Sequence, residues 1–319
     1  MRIALITPYG REHRNGNWHT AARYARFLRD AGHTVRVQVE WDGRPADLML
    51  ALHARRSFAS IRAFAGRFPS RPLIVTLTGT DLYRDIHEDA DARQALELAH
   101  RIIVLQDRGP DELAPHLAAK TRVIYQSSPD IPRRPTSSET FEVLVIGHLR
   151  EEKDPFRVAL ATAYLPEHSR IQVTHLGSAL SGDMAETAEM AQAKLPRWHW
   201  LGQVPHKTVL KHLSRAHLMV ISSVMEGGAN VICEALAADV PVLASRMPGN
   251  IGMLGEDYPG YFPVGDERQL AELLAMAEND AVFHAALASH ARARRGLMRP
   301  EQEASRLRQA VAEFEQIPA

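Results

Sequence analysis

The sequence predicts an α/β protein built from two doubly wound domains with mainly parallel sheets. Three observations carry that expectation. Short apolar runs of strand length alternate with longer amphipathic segments, and the alternation comes in two blocks. Between the blocks lies a polar, proline-rich stretch, S-S-P-D-I-P-R-R-P-T-S-S-E-T, at positions 127 to 140. Sheets of this kind bind ligands beyond the carboxyl ends of their strands, so two domains facing each other across a cleft place the expected site there.

The first block offers the runs R-I-A-L-I-T, T-V-R-V-Q-V-E, D-L-M-L-A-L, P-L-I-V-T-L, R-I-I-V-L and R-V-I-Y. Helical spacing runs from His19 to Ala31, closed by Gly32, and from Phe58 to Phe68, stopped by Pro69. The second block holds F-E-V-L-V-I-G, I-Q-V-T-H-L-G, H-L-M-V-I and P-V-L-A-S, with a helix expected from Asn230 to Ala238. A charged amphipathic helix is expected from Pro300 to Gln316. The expected domains are two Rossmann-like units, residues 1–135 and 136–297, with a helix over 298–319 packing back toward the first.

At 319 residues and 45% hydrophobic content, the chain can bury two ordinary cores. Lys+Arg and Asp+Glu both number 38, which points away from nucleic acid or a membrane surface as partner. One cysteine, Cys233, excludes an internal disulfide and any cysteine-rich metal site. No apolar run reaches the length of a spanning helix, and the opening M-R-I-A-L-I-T reads as a strand rather than a signal segment, so a cytoplasmic protein is expected.

The most informative stretch is S-S-V-M-E-G-G-A-N-V-I-C-E-A-L-A-A-D-V-P-V, residues 222 to 242. Glu226 falls on a strand-to-helix turn and Glu234 in the second turn of the helix. On one continuous helix their separation would mean roughly 12 Å of rise and about 80° of rotation. From a turn and a helix, the two instead suit two parts of an extended ligand. Asn230 and Glu234 share a helix face, with Val231, Ile232, Ala235 and Leu236 as the expected core stripe. Gly227 and Gly228 let backbone amides approach a ligand at the helix N-terminus, where free N–H groups favour anions. A capped helix carrying an incidental glutamate is the plain alternative.

This segment resembles the E-x7-E signature of retaining GT-B glycosyltransferases of family 4, usually written E-G-F-G, then an E-A helix, then a G-x-P-V strand. The resemblance implies that Glu226 contacts the donor sugar and Glu234 the ribose of the nucleotide, with the amides of Gly228, Ala229 and Asn230 orienting the sugar. Here G-G-A-N replaces the phenylalanine-glycine turn. G-H-L-R-E-E-K-D-P, from Gly147, resembles the family's G-R-L-x-x-x-K-G, which makes Lys153 the matched lysine for the leaving phosphate and puts His148 where the family has arginine. Arg150 is the candidate for the missing guanidinium, because a departing pyrophosphate needs fixed positive charge. A solvated R-E-E-K run is the alternative.

On the acceptor side, the first β-α turn is T-P-Y-G-R-E-H-R-N-G-N-W-H-T-A. Gly10, Arg14, Gly16, Asn17 and Thr20 are its candidate acceptor-binding residues. His53, in L-H-A-R-R-S at the end of the third run, joins them, as do Thr78 and Thr80 in L-T-G-T-D-L-Y-R-D. Related enzymes usually carry histidine where Thr78 stands. Together A-L-H-A-R-R-S, L-T-G-T-D-L-Y-R-D, H-L-R-E-E-K-D-P, M-E-G-G-A-N-V and P-G-N-I-G-M-L-G-E-D-Y-P-G-Y-F resemble the selenosugar synthases of selenoneine biosynthesis. That resemblance, over nearly the whole chain, implies transfer of the sugar of UDP-N-acetylglucosamine or UDP-glucose to the selenium of selenophosphate. Such an acceptor is anionic and already nucleophilic, so it needs no base to remove a hydroxyl proton.

Other chemistries find little support. D-A-D at Asp89 to Asp91 imitates a metal-binding D-x-D but falls at an expected helix start, and no metal or other cofactor is expected. There is no G-x-x-x-x-G-K-[ST] phosphate loop, and the first turn lacks G-x-G-x-x-G, which weakens a nicotinamide-dependent oxidoreductase. A family-4 transferase with a hydroxyl acceptor and a non-catalytic sugar-nucleotide sensor stay open. Cys233 reads as a buried small side chain rather than a reactive thiol. The oligomeric state is not set by these features.

Overall fold

The fold is given by a computed structural model, which describes residues 1–11 and 16–315. The chain divides into two compact units, one of Met1–Ser127 together with the residues from Leu297 onward, the other of Ser128–Gly296.

The first unit carries β1 (Arg2–Ile6), β2 (Thr34–Gln38), β3 (Leu48–Leu52), β4 (Leu73–Thr76), β5 (Arg101–Val104) and β6 (Thr121–Val123). All pair in parallel in the order β2-β1-β3-β4-β5-β6. Its crossovers contain α1 (Gly16–Asp30), α2 (Phe58–Arg67), α3 (Ile86–Glu88), α4 (Ala90–Leu98) and α5 (Pro115–Ala119). Side chains alternate between the two faces of the sheet, as the pleat requires. Ala4, Ile6, Met49 and Ala51 join Phe58 and Phe64 of α2 on one face, while Ile3, Leu5, Leu48 and Leu50 meet Tyr24 and Leu28 of α1 on the other. With both faces covered, β3 is apolar and buried at every position.

The second unit carries β7 (Phe141–Ile146), β8 (Ile171–Leu176), β9 (Trp198–Trp200), β10 (Leu218–Ile221), β11 (Val242–Ser245) and β12 (Tyr261–Phe262). These too are all parallel, in the order β12-β11-β10-β7-β8-β9. The helices are α6 (Arg157–Thr162), α7 (Gly182–Lys194), α8 (His206–Leu213), α9 (Asn230–Ala237), α10 (Pro248–Leu254), α11 (Glu267–Asn279) and α12 (Ala281–Arg295). The order reverses between β7 and β10, and in the first unit between β1 and β3. These are the switch points where neighbouring loops diverge and open a crevice beyond the strand ends.

Every strand-length run named from the sequence contains a strand, although the last run of the first block begins one residue early, at Thr121. The edge strands β9 and β12 were not anticipated; at three and two residues they are too short to show a period. The proline-rich stretch forms no regular element, yet it is pinned to the second unit. Ile131 N–H donates to the Ala237 carbonyl at 3.1 Å, Arg134 N–H to Ser214 at 2.9 Å, and the Arg133 guanidinium to Ala216 at 2.8 Å. In α9 the buried stripe is Ile232, Cys233, Ala235, Leu236 and Ala237, whereas Val231 is half-buried. Val231 therefore falls short of the core stripe expected for it, while Cys233 is buried as expected.

The last helix, α13 (Pro300–Ala312), belongs to the first unit and lays Leu307, Ala310 and Val311 on the face covered by α1. Burying Leu307 alone contributes roughly 1.5–3 kcal/mol. On the same face Glu303, fully buried, accepts from the Arg23 guanidinium at 2.8 Å and from the Ser127 hydroxyl. Ser127 is the last residue of the unit before the chain crosses over, so one carboxylate ties that crossover to α1 and α13. Glu303→Ala should lower stability by about 3 kcal/mol, because it removes a buried carboxylate that Arg23 and Ser127 both bond; thermal denaturation would show it as a fall in Tm.

Candidate active site

In the second unit the candidate site forms where the turns after β7 and β10 meet. The first turn runs Gly147-His148-Leu149-Arg150, makes a tight helical turn at Glu151–Lys153, and closes on Asp154 with φ of +43°. The second runs from Ser222 to Ala229 and opens α9. Val224 N–H donates to the Glu152 carbonyl at 3.0 Å, and the Ser222 hydroxyl bonds the carbonyls of Lys153 and Asp154 at 3.1 and 2.9 Å. Two glycines allow close backbone approach. A Cβ on Gly177, after β8, would collide with the Gly147 carbonyl, and one on Gly249, in the first turn of α10, with the Glu226 carbonyl. Buried Asn250 donates to the Ser245 carbonyl at 2.9 Å, and the Ser245 hydroxyl donates to the Ser223 carbonyl at 2.5 Å.

On this scaffold Lys153 and Glu226, given separate tasks from the sequence, form one ion pair. Glu226 is buried and also accepts from the Ser223 hydroxyl at 2.7 Å. Arg150 points more to solvent, with Nε 4.0 Å from a Glu152 oxygen. His148 Nδ1 accepts from Ser178 N–H at 3.2 Å and lies 2.8 Å from the Ser178 hydroxyl, which puts the neutral ring's proton on Nε2. Burial first, then the charges of Arg150 and Lys153, hold His148 below the usual histidine range. Ala229 caps α9 without any side-chain bond, and Gly228 and Asn230 flank it, both half-buried. Glu234 presents Oε1 to His206 Nε2 at 2.8 Å. That hydrogen bond, partly offset by burial, raises the His206 pKa.

The first unit gathers a second cluster at its own switch point. His53 follows β3 with φ of +70°, a left-handed conformation that costs a non-glycine residue about 1–3 kcal/mol. It is buried, its Nε2 lies 3.2 Å from the Thr80 hydroxyl, and its two ring nitrogens sit 3.8 Å from Asp81 and 3.9 Å from Asp85. Asp81, fully buried in the π-helical turn Asp81–Asp85, accepts from the N–H groups of Thr78, Gly79 and Ala54 at 2.8, 2.9 and 3.1 Å. The loops after β3 and β4 thus close on one carboxylate. Arg55 and Arg84 both bond Asp85, and Arg56 lies 5.1 Å over the Tyr9 ring from the first loop.

Gly10 and Asn17 are half-buried and Gly16 is exposed at the start of α1. Thr20 is buried; its hydroxyl donates to the Gly16 carbonyl at 2.9 Å and accepts from Gln126 at 2.6 Å, so it braces the helix from behind. Arg14 lies outside the described residues.

Residues 127–294 match the family described as glycosyl transferases group 1. The chain belongs to that family. Glycosyltransferase 1 domain-containing protein 1 of Xenopus tropicalis is 24% identical over 274 residues, covering 77% of this chain and 79% of that protein. Among solved structures, HepE of Anabaena in complex with UDP-glucose is 18% identical with a TM-score of 0.79, covering 98% of this chain and 100% of that one. Sucrose-phosphate synthase from Thermosynechococcus elongatus is 17% identical with a TM-score of 0.79, covering 98% and 99%. At these identities the likeness speaks for the fold, which is GT-B.

Several residues of these candidate clusters went unread in the sequence. His206 stands in Q-V-P-H-K, Ser178 in L-G-S, and Asp81 and Asp85 four apart in T-D-L-Y-R-D. Only the last two carried a signal, a pair of acids on a strand-end turn. Asp239 holds the place of the family's usual glycine in G-x-P-V, with φ of +57°, a region aspartate enters more readily than most residues. D-A-D serves α4, whose N-cap Asp89 accepts from Ala92 N–H. Among the described residues no cluster of three or more His, Cys, Asp or Glu is placed to hold a metal ion. No helix of the described residues is long and apolar enough to cross a membrane. A groove of about 510 Å³ between Pro135–Ser137 and the Lys211–Arg215 end of α8 lies toward the amino ends of β7 and β10, away from this chemistry. Lys153→Met should cost about 3 kcal/mol of stability by stranding buried Glu226. Adding Glu226→Gln should recover about 1 kcal/mol of that, read by a denaturation double-mutant cycle.

Proposed function

We propose that this glycosyltransferase moves the sugar of a UDP-sugar, UDP-glucose or UDP-N-acetylglucosamine, to the selenium of selenophosphate. The donor part of the reading rests above all on the Lys153–Glu226 pair at the switch point of the second unit. Opposite charges held together there suit a ligand with an anionic diphosphate beside a hydroxylated sugar: phosphate claims Lys153, and sugar hydroxyls claim Glu226. Glu234 takes the ribose, the amides of Gly228, Ala229 and Asn230 orient the sugar, and Arg150 with the Nε2–H of His148 meets the charge on the departing phosphate. HepE of Anabaena, similar in fold, has been seen with UDP-glucose.

In the proposed step the C1–O bond breaks with its electron pair going to the UDP phosphate, through an oxocarbenium-like state. A selenium lone pair forms C1–Se. Hydrolysis of the P–Se bond then releases phosphate and the seleno-sugar. No metal is assigned a role; the cations named above carry the leaving-group charge. The acceptor part rests on the quoted motifs and on Thr78, where related enzymes have histidine.

One observation favours a second reading, with a hydroxyl acceptor. His53, between two buried carboxylates and beside Thr80, occupies a place from which an imidazole can take a hydroxyl proton. The assay that separates them follows UDP release and product mass with each UDP-sugar and selenophosphate. Stimulation by selenophosphate, lost roughly 100-fold or more in Lys153→Ala, is the expected result. UDP release indifferent to selenophosphate but stimulated by sugar alcohols, and abolished in His53→Ala, would establish the second reading instead.

A further inference from the structure

We propose that His206 is a positioning residue for the nucleotide half of the donor, holding one oxygen of Glu234 so that the other is presented to the ribose diol. The inference rests on the donor reading above and adds to it a residue from a different element.

Placement supports it. His206 is the first residue of α8, which leads from β9 to β10, so it begins beyond the carboxyl end of β9, on the side of the sheet where α9 begins. Its ring reaches across to the second turn of α9 and meets Glu234 Oε1 at 2.8 Å. The Glu234 side chain is 16% exposed, whereas that of His206 is 56% exposed. An imidazole so exposed contributes little to packing. What it does contribute is orientation: a glutamate has three torsions to settle, and each one fixed in advance is a cost that ribose binding no longer bears. The carboxylate keeps Oε2 and the unused lone pair of Oε1 for the two ribose hydroxyls.

Charge supports it too. From α9 the charged group facing the ring is Glu234, while Lys207 follows next on its own helix. The hydrogen bond to Glu234 raises the His206 pKa, so the ring is cationic below that raised value and neutral above it. The hold on Glu234 is therefore firmest on the acid side and weakens as pH climbs through the folded pKa.

The test measures UDP binding by calorimetry and donor KM and kcat with UDP-glucose. In His206→Ala, Kd and KM should rise roughly ten-fold while kcat at saturating donor stays within about two-fold. His206→Gln keeps an N–H donor and should recover most of the affinity. Its KM should stay flat as pH rises above the usual histidine range, where the wild-type KM climbs. Unchanged or tighter UDP binding in His206→Ala, with Glu234→Ala crippled, would overturn the role of His206 and leave the donor site standing. A wild-type protein that binds no UDP would overturn both. Thermal denaturation of each variant separates a lost contact from a lost fold.

Discussion

The buried contact between Lys153 and Glu226 organises the second unit, because two charges taken from water are tolerated only when paired and further hydrogen-bonded. Ser223 supplies the further bond to Glu226, and the bonds from the Val224 N–H and the Ser222 hydroxyl to the turn after β7 keep the two loops in register. Gly177 and Gly249 remove the side chains that would force those loops apart. The proposed donor site is thus a pair of charges held at a sheet's switch point, with the packing behind it arranged to keep them there.

The first unit uses the same device with different chemistry. Asp81 takes the place of an ion pair as the organiser, collecting backbone N–H groups from the loops after β3 and β4. Its backbone partners leave His53 in a strained conformation beside Thr80 and Asp85. Arg55 and Arg84 are drawn to Asp85.

Much of the candidate site was legible because its residues sit at strand ends, and strand ends follow from local apolar periodicity. Glu226, Lys153 and His53 were placed in this way, and Glu234 by the helix that follows the Glu226 turn. Their partners were not. His206 lies 28 positions from Glu234, and Ser178 lies 30 from His148. Nothing in P-H-K or L-G-S distinguishes either from an ordinary turn. Thr20 errs in the other direction: its place at the start of α1 suggested a ligand contact, but packing against Gln126 turns its hydroxyl inward.

By itself the sequence determined the α/β class, the course of the strands apart from the edge strands β9 and β12, and the positions of the chemically capable side chains along the chain. These depend on contacts within a few residues and on the period of burial. The tertiary structure decided which of those side chains meet. Lys153 and Glu226 are 73 residues apart and become partners only because β10 docks beside β7, and strand order is a property of the assembled sheet that no local stretch encodes.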